Sequence, residues 1–265
     1  MFDQSIPAQN IVLRTLPADV LSALQPALSR RALKRRAILQ EAHAPVDNVY
    51  FIERGMAAVL TRAQADGHFE AGIVGRSGLV GVPVLLGTAR SPNRCVMRVE
   101  GEALQIGADD VRRAMDEHPA LRRRLLGYVQ ALLIQNAQMA LCNVRHPLLQ
   151  RLARWLLLAS DRLDSSVIPL THALMSAMLG VRRAGITNAL TELEHGGAVK
   201  KSRGTVTIVD RPALEAASCE CYRVIAHEFA QLSLPAGSGA PSCGASAHHF
   251  GESEHAADSL SRVGA

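Results

Sequence analysis

Residues 170–209 read LTHALMSAMLGVRRAGITNALTELEHGGAVKKSRGTVTIV, and this stretch decides the architecture of the chain. Thr171 is a good helix N-cap, and apolar residues follow it at helical spacing. Gly180 stands where the chain must turn sharply, and a second amphipathic helix runs from about residue 182 to residue 195. A pair of glycines ends that helix. The stretch therefore predicts two short helices joined by a tight turn, a helix-turn-helix.

The second helix has a polar side opposite the apolar side formed by Ile186, Leu190 and Leu193. Basic and small polar groups near the positive amino end of a helix suit the DNA major groove, where Arg and Asn offer bidentate hydrogen bonds to guanine and adenine. We expect these residues of the motif to contact DNA: Thr171, Arg182, Arg183, Ala184, Thr187, Asn188 and Thr191.

A basic β-hairpin is predicted directly after the second helix. Residues 198–209 include a β-branched, alternating segment, and Gly204 supplies the backbone freedom that a tight turn needs. Lys200, Lys201 and Arg203 cluster in this hairpin, where phosphates would lie if the helix entered a groove. A solvated charged turn beside an ordinary helical hairpin is the plain alternative. The two motifs together favour nucleic-acid binding over that alternative.

The composition is that of a globular protein, with 48% hydrophobic and 20% charged residues over 265 positions. The net charge of +5 permits binding to a polyanion without requiring it. Five scattered cysteines, no recognisable secretion signal and no uninterrupted apolar run of membrane-spanning length predict a reduced cytoplasmic location without a membrane partner. We find no nucleophile with a paired base and no phosphate-loop motif, so we expect no enzyme.

The amino-terminal part changes from a short helix at residues 16–28 to short extended segments between about residues 31 and 106. Glycines punctuate these segments at strand-and-turn spacing, which predicts an antiparallel β-barrel of the jelly-roll type. Within it, residues 76–94 are rich in small residues. They could hold a phosphate through backbone N–H groups, but a plain loop with a surface Arg is the favoured interpretation.

A long helix is predicted over residues 120–143, with two apolar rows that suggest packing against its own domain and against a second copy. Packing within one core is the alternative. We assign the dimer interface to the first row, which comprises Leu121, Leu125, Tyr128, Leu132 and Met139. His146-Pro147 then forms a hinge. Further helices follow at residues 148–163 and 212–232, and on the latter Cys219 and Cys221 would point to different faces, so no metal site is expected.

This order of elements resembles the Crp/Fnr family of bacterial transcription regulators over about residues 10–232. The residues that carry the resemblance are Leu170-Thr171, the stretch from Met178 to Thr187, the stretch from Leu190 to Gly197, and the wing from Lys201 to Ile208. The resemblance implies a homodimer that joins through the long helix, presents two recognition helices to a palindromic DNA site and works with RNA polymerase.

The departures from the family pattern are informative. The family's cyclic-nucleotide pocket carries a Gly-Glu pair and an Arg followed by Ser or Thr, whereas this chain has Gly81-Val82 and Arg94-Cys95. A ribose hydroxyl would find no charged acceptor there, which argues against cyclic AMP as a ligand. Gly81, Arg94 and Cys95 stay as candidate effector-binding residues. The first cysteine is Cys95, which argues against an amino-terminal iron–sulfur cluster, so no cofactor is expected.

The recognition helix also lacks the carboxylate with which many members read their operator, so a different operator is expected. The predicted fold is α+β with four parts: a cyclic-nucleotide-binding-like barrel at residues 1–118, a dimerisation helix at 119–145, a winged helix-turn-helix at 146–232 and a disordered tail at 233–265. The predicted function is that of a sequence-specific DNA-binding regulator. The alternative is a small-molecule or nucleotide sensor whose helix-turn-helix mainly contacts protein.

Overall fold

A six-stranded antiparallel sheet forms the amino-terminal half of the computed structural model, which describes residues 8–63 and 67–234. The strands are β1 Ser29–Leu33, β2 Ile38–Gln40, β3 Asn48–Ala63, β4 Gly67–Val74, β5 Leu79–Val80 and β6 Arg94–Gly107. Their order in the sheet is β1-β6-β3-β4, with β2 paired to β6 and β5 paired to β3. The helices beside them are α1 Ile11–Arg14, α2 Ala18–Leu24, α3 Val82–Leu85 and α4 Ala108–Glu117.

The two longest strands, β3 and β6, run continuously where the glycine punctuation predicts separate short segments. Gly55 lies inside β3 with φ of +82°, next to irregular pairing with β6. A Cβ atom on Gly101 of β6 would lie 2.0 Å from the Arg54 carbonyl oxygen, so only glycine fits at this crossing. Glycines that resemble turns in the sequence are therefore bends inside continuous strands.

The helix α5 Pro119–Arg145 follows the barrel and divides its apolar residues between two sides. Leu121, Leu125 and Tyr128 are no more than 1% exposed, because they pack into the core of their own protomer. These three residues are therefore unavailable to a partner, and their assignment to the dimer interface is corrected. Two residues of the second apolar row face outward, Leu126 at 43% and Leu133 at 59% exposure, whereas Val129 of that row is buried.

The helix α5 is long and apolar enough to cross a membrane, although the sequence has no uninterrupted apolar run. Core helices of soluble proteins reach the same length and apolar content, so this property does not distinguish a membrane helix from a core helix.

A winged helix-turn-helix forms the carboxyl-terminal half around a three-stranded sheet of β7 Val167–Pro169, β9 Thr205–Ile208 and β8 Val199–Ser202, in that order. The last described helix returns to the long helix, where the rings of Phe229 and Tyr128 pack edge to face at 6.2 Å. The elements are α6 Leu148–Leu163, β7 Val167–Pro169, α7 His172–Leu179, α8 Arg183–His195, β8 Val199–Ser202, β9 Thr205–Ile208, α9 Arg211–Ala217 and α10 Cys221–Gln231.

The single helix predicted over residues 212–232 is wrong, because α9 ends at Ala217 and α10 begins at Cys221. Ser218 is extended and its hydroxyl donates to the Glu215 carbonyl 2.8 Å away, a side-chain bond that competes with helix continuation. Cys219 therefore lies between the two helices. The prediction that Cys219 and Cys221 point to different faces of one helix is wrong, because they do not share a helix. The predicted disordered tail lies almost wholly outside the described residues.

Candidate nucleic-acid interface and barrel cavity

The helix-turn-helix forms as its sequence predicts. The Thr171 hydroxyl accepts a hydrogen bond from the Leu174 amide at 3.2 Å and caps α7. Gly180 ends α7 with φ of +65°, a left-handed conformation that glycine adopts without strain. Ile186 and Leu190 of α8 are fully buried, so the opposite side of α8 faces outward.

The outward side of α8 carries the residues expected to read DNA. Arg183, Ala184, Thr187 and Asn188 are exposed, and Thr191 is half-buried. The Thr187 hydroxyl lies 3.2 Å from His172 Nδ1, which joins the polar sides of the two helices. His172 was not among the predicted site residues, although its place directly after the N-cap could have indicated it.

The three cations of the β8–β9 hairpin, which forms the wing, differ in whether they are paired. Lys200 and Arg203 are exposed at the β8–β9 hairpin. The Lys201 ammonium instead lies 2.9 Å from a Glu194 carboxylate oxygen and donates to the Thr191 hydroxyl at 2.9 Å. Hydrogen bonds from the Lys201 amide and side chain hold the pKa of Glu194 below its usual range. Lys201 therefore links the wing to the recognition helix.

The remaining cations of the motif are exposed and unpaired in the described chain. Arg182 and Arg183 stand exposed at the amino end of α8, next to the orphan amides of its first turn. Neither they nor Lys200 and Arg203 form an ion pair with any residue the structure describes. The amino end of α8 and the hairpin therefore both present exposed cations that no carboxylate of the described chain neutralises, which suits a polyanion.

A cavity of about 380 Å³ lies between the barrel and the long helix. Small-molecule sites in proteins occupy roughly 300–1,000 Å³, so the cavity is large enough for a small effector. Its walls are mainly aliphatic, and they come from the sheet, from α3 and from α5. Lining residues include Val59, Ile73, Leu79, Val82, Tyr128 and Leu132.

The predicted effector residues are only partly brought together here. Gly81 and Cys95 line the cavity, but Arg94 does not, and its guanidinium lies 3.1 Å from the Glu41 carboxylate. Arg90 and Ser91 line the cavity instead. The sequence could have indicated these two residues, because Arg90-Ser91 is an Arg followed by a hydroxyl residue, as in the family pattern, a few positions before Arg94.

A polar chain leads from the cavity to the carboxyl-terminal half. Gln135 of α5 lines the cavity and accepts a hydrogen bond from the buried Arg162 guanidinium of α6 at 3.1 Å. Arg162 also stacks on the Phe229 ring, 3.7 Å from its centroid. Burial lowers the pKa of Arg162. A ligand that contacts Gln135 in the cavity would therefore be one side chain away from Arg162 of α6, the first helix of the carboxyl-terminal half.

Two family models match the chain and together cover more than half of it. Residues 30–118 match the cyclic nucleotide-binding domain, and residues 150–217 match the Crp-like helix-turn-helix domain. A barrel of the first kind followed by a helix-turn-helix of the second defines a two-domain transcription regulator. The chain belongs to the Crp/Fnr family of these regulators.

Solved structures share the fold at low sequence identity. FixK2 from Bradyrhizobium japonicum has a TM-score of 0.58 at 13% identity, covering 72% of this chain and 98% of that one. The c-di-GMP-responsive global regulator CLP of Xanthomonas campestris has a TM-score of 0.60 at 14% identity, covering 73% and 100%. A transcriptional regulator of the CRP family from Thermus thermophilus has a TM-score of 0.57 at 20% identity, covering 72% and 96%. No curated protein matches the sequence significantly.

Proposed function

We propose that the chain acts as a homodimer that binds a specific DNA duplex, with α8 in the major groove and the wing against the phosphate backbone. One observation carries this proposal: four exposed cations form no ion pair in the described chain, two at the amino end of α8 (Arg182 and Arg183) and two in the β8–β9 hairpin (Lys200 and Arg203). In this arrangement Arg183 and Asn188 would contact base edges, and Lys200 and Arg203 would contact phosphates. Such a regulator would work in the cytoplasm with RNA polymerase.

The exposed row of α5 supports a revised dimer interface. Leu126, Leu133, Leu141 and Val144 recur at roughly heptad spacing, and each is at least 43% exposed in the protomer. Large apolar side chains along one helix face indicate a surface covered by a partner. In this arrangement a second copy would pack along α5 and place its own α8 one helical turn of DNA away.

The barrel serves, in this proposal, as a sensor whose ligand lies in the cavity between the sheet and α5. Arg90 and Ser91 can bind an anionic group, and the aliphatic walls suit an apolar body. Val82 stands where a carboxylate would receive a ribose, so cyclic AMP in the usual manner is disfavoured. The division into barrel at residues 1–118, long helix at 119–145 and winged domain at 146–232 belongs to the same proposal.

Selection from a random duplex pool with the purified chain tests DNA recognition and supplies the operator. We expect enrichment of a palindrome whose half-sites lie about one helical turn apart, because two copies of α8 would read equivalent sequences. Binding to the selected duplex should weaken steeply as salt rises. A pool that stays random after repeated rounds would refute the proposal and favour a helix-turn-helix that contacts protein.

A further inference from the structure

Four metal-ligating side chains meet where α5 ends and α10 begins: Cys142, His146, Cys219 and Cys221. Their ligand atoms all lie within 4.8 Å of one another. The sulfur atoms of Cys142 and Cys219 are 3.4 Å apart, and Cys221 Sγ lies 3.6 Å from His146 Nδ1. The three cysteines form a buried cluster that is separate from the main hydrophobic core.

These separations are close to the edges of a tetrahedron around one zinc ion. With Zn–S bonds of about 2.3 Å and a Zn–N bond of about 2.0 Å, the edges are about 3.8 Å between two sulfurs and about 3.5 Å between sulfur and nitrogen. Three thiolates and one imidazole are a common ligand set of structural zinc sites. A polynuclear iron–sulfur cluster would hold the cysteine sulfurs farther apart, because iron and sulfide lie between them.

The local fold explains how residues far apart in sequence converge. Cys142 and His146 are four positions apart at the carboxyl end of α5, so they share one face, and the His146 amide donates to the Cys142 carbonyl at 3.1 Å. Cys219 lies in the turn after α9, and Cys221 is the first residue of α10. The break between α9 and α10 is therefore what brings the second pair of ligands to the first.

The surroundings of the cluster also suit a metal. His146 Nε2 lies 3.2 Å from a Glu220 carboxylate oxygen, a contact that orients the ring and leaves Nδ1 toward the sulfurs. Arg154 is 1% exposed, and its Nε and Nη1 atoms have no hydrogen-bond partner among the described residues. Burial raises the pKa of the Cys142 thiol, and the positive charge of Arg154 acts against that rise. Zinc with three thiolates carries one net negative charge, which this guanidinium would offset.

The geometry points to a structural Zn²⁺ site formed by Cys142, His146, Cys219 and Cys221. The ion fastens α10 to the end of α5, and its ligand His146 belongs to the predicted hinge at His146-Pro147. The site is distinct from the barrel cavity and from the cationic surface of α8.

Metal content of the untagged full chain, purified under reducing conditions without chelator, tests this site. We expect one zinc ion per chain. The double variant Cys219→Ser/Cys221→Ser should lose it. The control Cys95→Ser/Cys243→Ser removes the same number of thiols but none of the four ligands, and should keep one zinc ion.

A second measurement uses the wild-type chain, so it tests the site even if the double variant fails to fold. Titration of the reduced, metal-free wild-type chain with Co²⁺ should give thiolate-to-cobalt absorption that saturates at one equivalent. Glu220→Gln keeps all four ligands and should weaken zinc binding by about tenfold or more, because the outer hydrogen bond to His146 is weakened.

Three results would overturn the site. The first is equal zinc content in the two double variants. The second is a reduced wild-type chain that takes up neither zinc nor cobalt. The third is a Cys142–Cys219 disulfide in chain isolated without oxygen, since the pair would then serve as a cross-link.

Discussion

Strand β6 of the barrel and the surface around α8 use arginine in opposite ways. Arg94 and Arg98 of β6 each lie 3.1 Å from a carboxylate, of Glu41 and Glu70 respectively. Arg183 and Arg203 of the winged domain lie exposed without an ion pair in the described chain. Charges that are paired within a domain are occupied by its own residues, whereas exposed unpaired charges are available to a ligand. DNA binding should therefore respond to changes in the second set and folding to changes in the first.

The largest expected effect comes from separating the two winged domains. Leu133→Asp places a charge in the exposed row of α5 and should give a monomer by light scattering, because an unpaired carboxylate would have to be buried in the interface. Affinity for the selected palindrome should fall by roughly 10³-fold, toward the non-specific level.

Ile38→Asp is the matched control, since Ile38 is an exposed residue of β2, a strand of the barrel sheet that pairs with β6. It should remain dimeric and bind normally. A dimeric Leu133→Asp chain would show that the exposed row is not the interface.

Removal of one base-reading side chain is the next largest effect. Arg183→Ala should cost roughly 1–3 kcal/mol on the cognate duplex and relax discrimination at one base pair, because a bidentate contact is lost. Competition binding with the cognate duplex and single-base variants measures this. Equal affinities for wild type and variant on every duplex would remove Arg183 from the reading surface.

The pH dependence of the folding stability tests the paired charges of the barrel. Burial raises the pKa of Glu70 to about 7, although Arg98 acts against this rise. The folded chain therefore binds more protons than the unfolded chain between pH 4.5 and 7. The stability that this group contributes is complete below the unfolded value and is lost as pH rises through about 7.

Glu70→Gln should remove that pH dependence. The free energy of unfolding of the wild type, relative to the variant, should fall by on the order of 1–3 kcal/mol between about pH 5 and pH 8. Urea denaturation at both pH values measures the difference. A constant difference would show that Glu70 does not titrate in this range.

The smallest effects distinguish the wing cations from one another. Lys200→Ala and Arg203→Ala should each weaken binding to all duplexes about equally and reduce the slope of log K against log salt by about one. Lys201→Ala should instead lower the melting temperature, since Lys201 links the wing to Glu194 and Thr191. Equal salt slopes for all three variants would contradict this division.

The sequence predicted the parts of the fold that local signals determine. The Thr171 cap, the Gly180 turn and the apolar side of α8 all follow from short-range spacing, and the structure confirms them. Long-range packing determines what the sequence missed. The inner row of α5 could not be chosen without knowing that Phe229 packs on Tyr128.

The two candidate ligand sites show the same limit. Arg90 lines the cavity in place of Arg94 because the loop before β6 sets which side chain faces inward, and spacing alone does not fix a loop. The cysteine cluster depends on a helix break at Ser218, where a side-chain hydrogen bond outweighs the helical pattern. Both sites required contacts between residues distant in sequence.

Competition binding on the selected duplex is the decisive experiment for sequence-specific recognition by α8 and the wing. The purified chain would be titrated onto the labelled palindrome at moderate ionic strength, with an unlabelled scrambled duplex of the same composition as competitor. We expect the palindrome to be retained against at least about a 10³-fold excess of the scrambled duplex. Equal displacement by the scrambled duplex and by the palindrome itself would contradict sequence-specific binding.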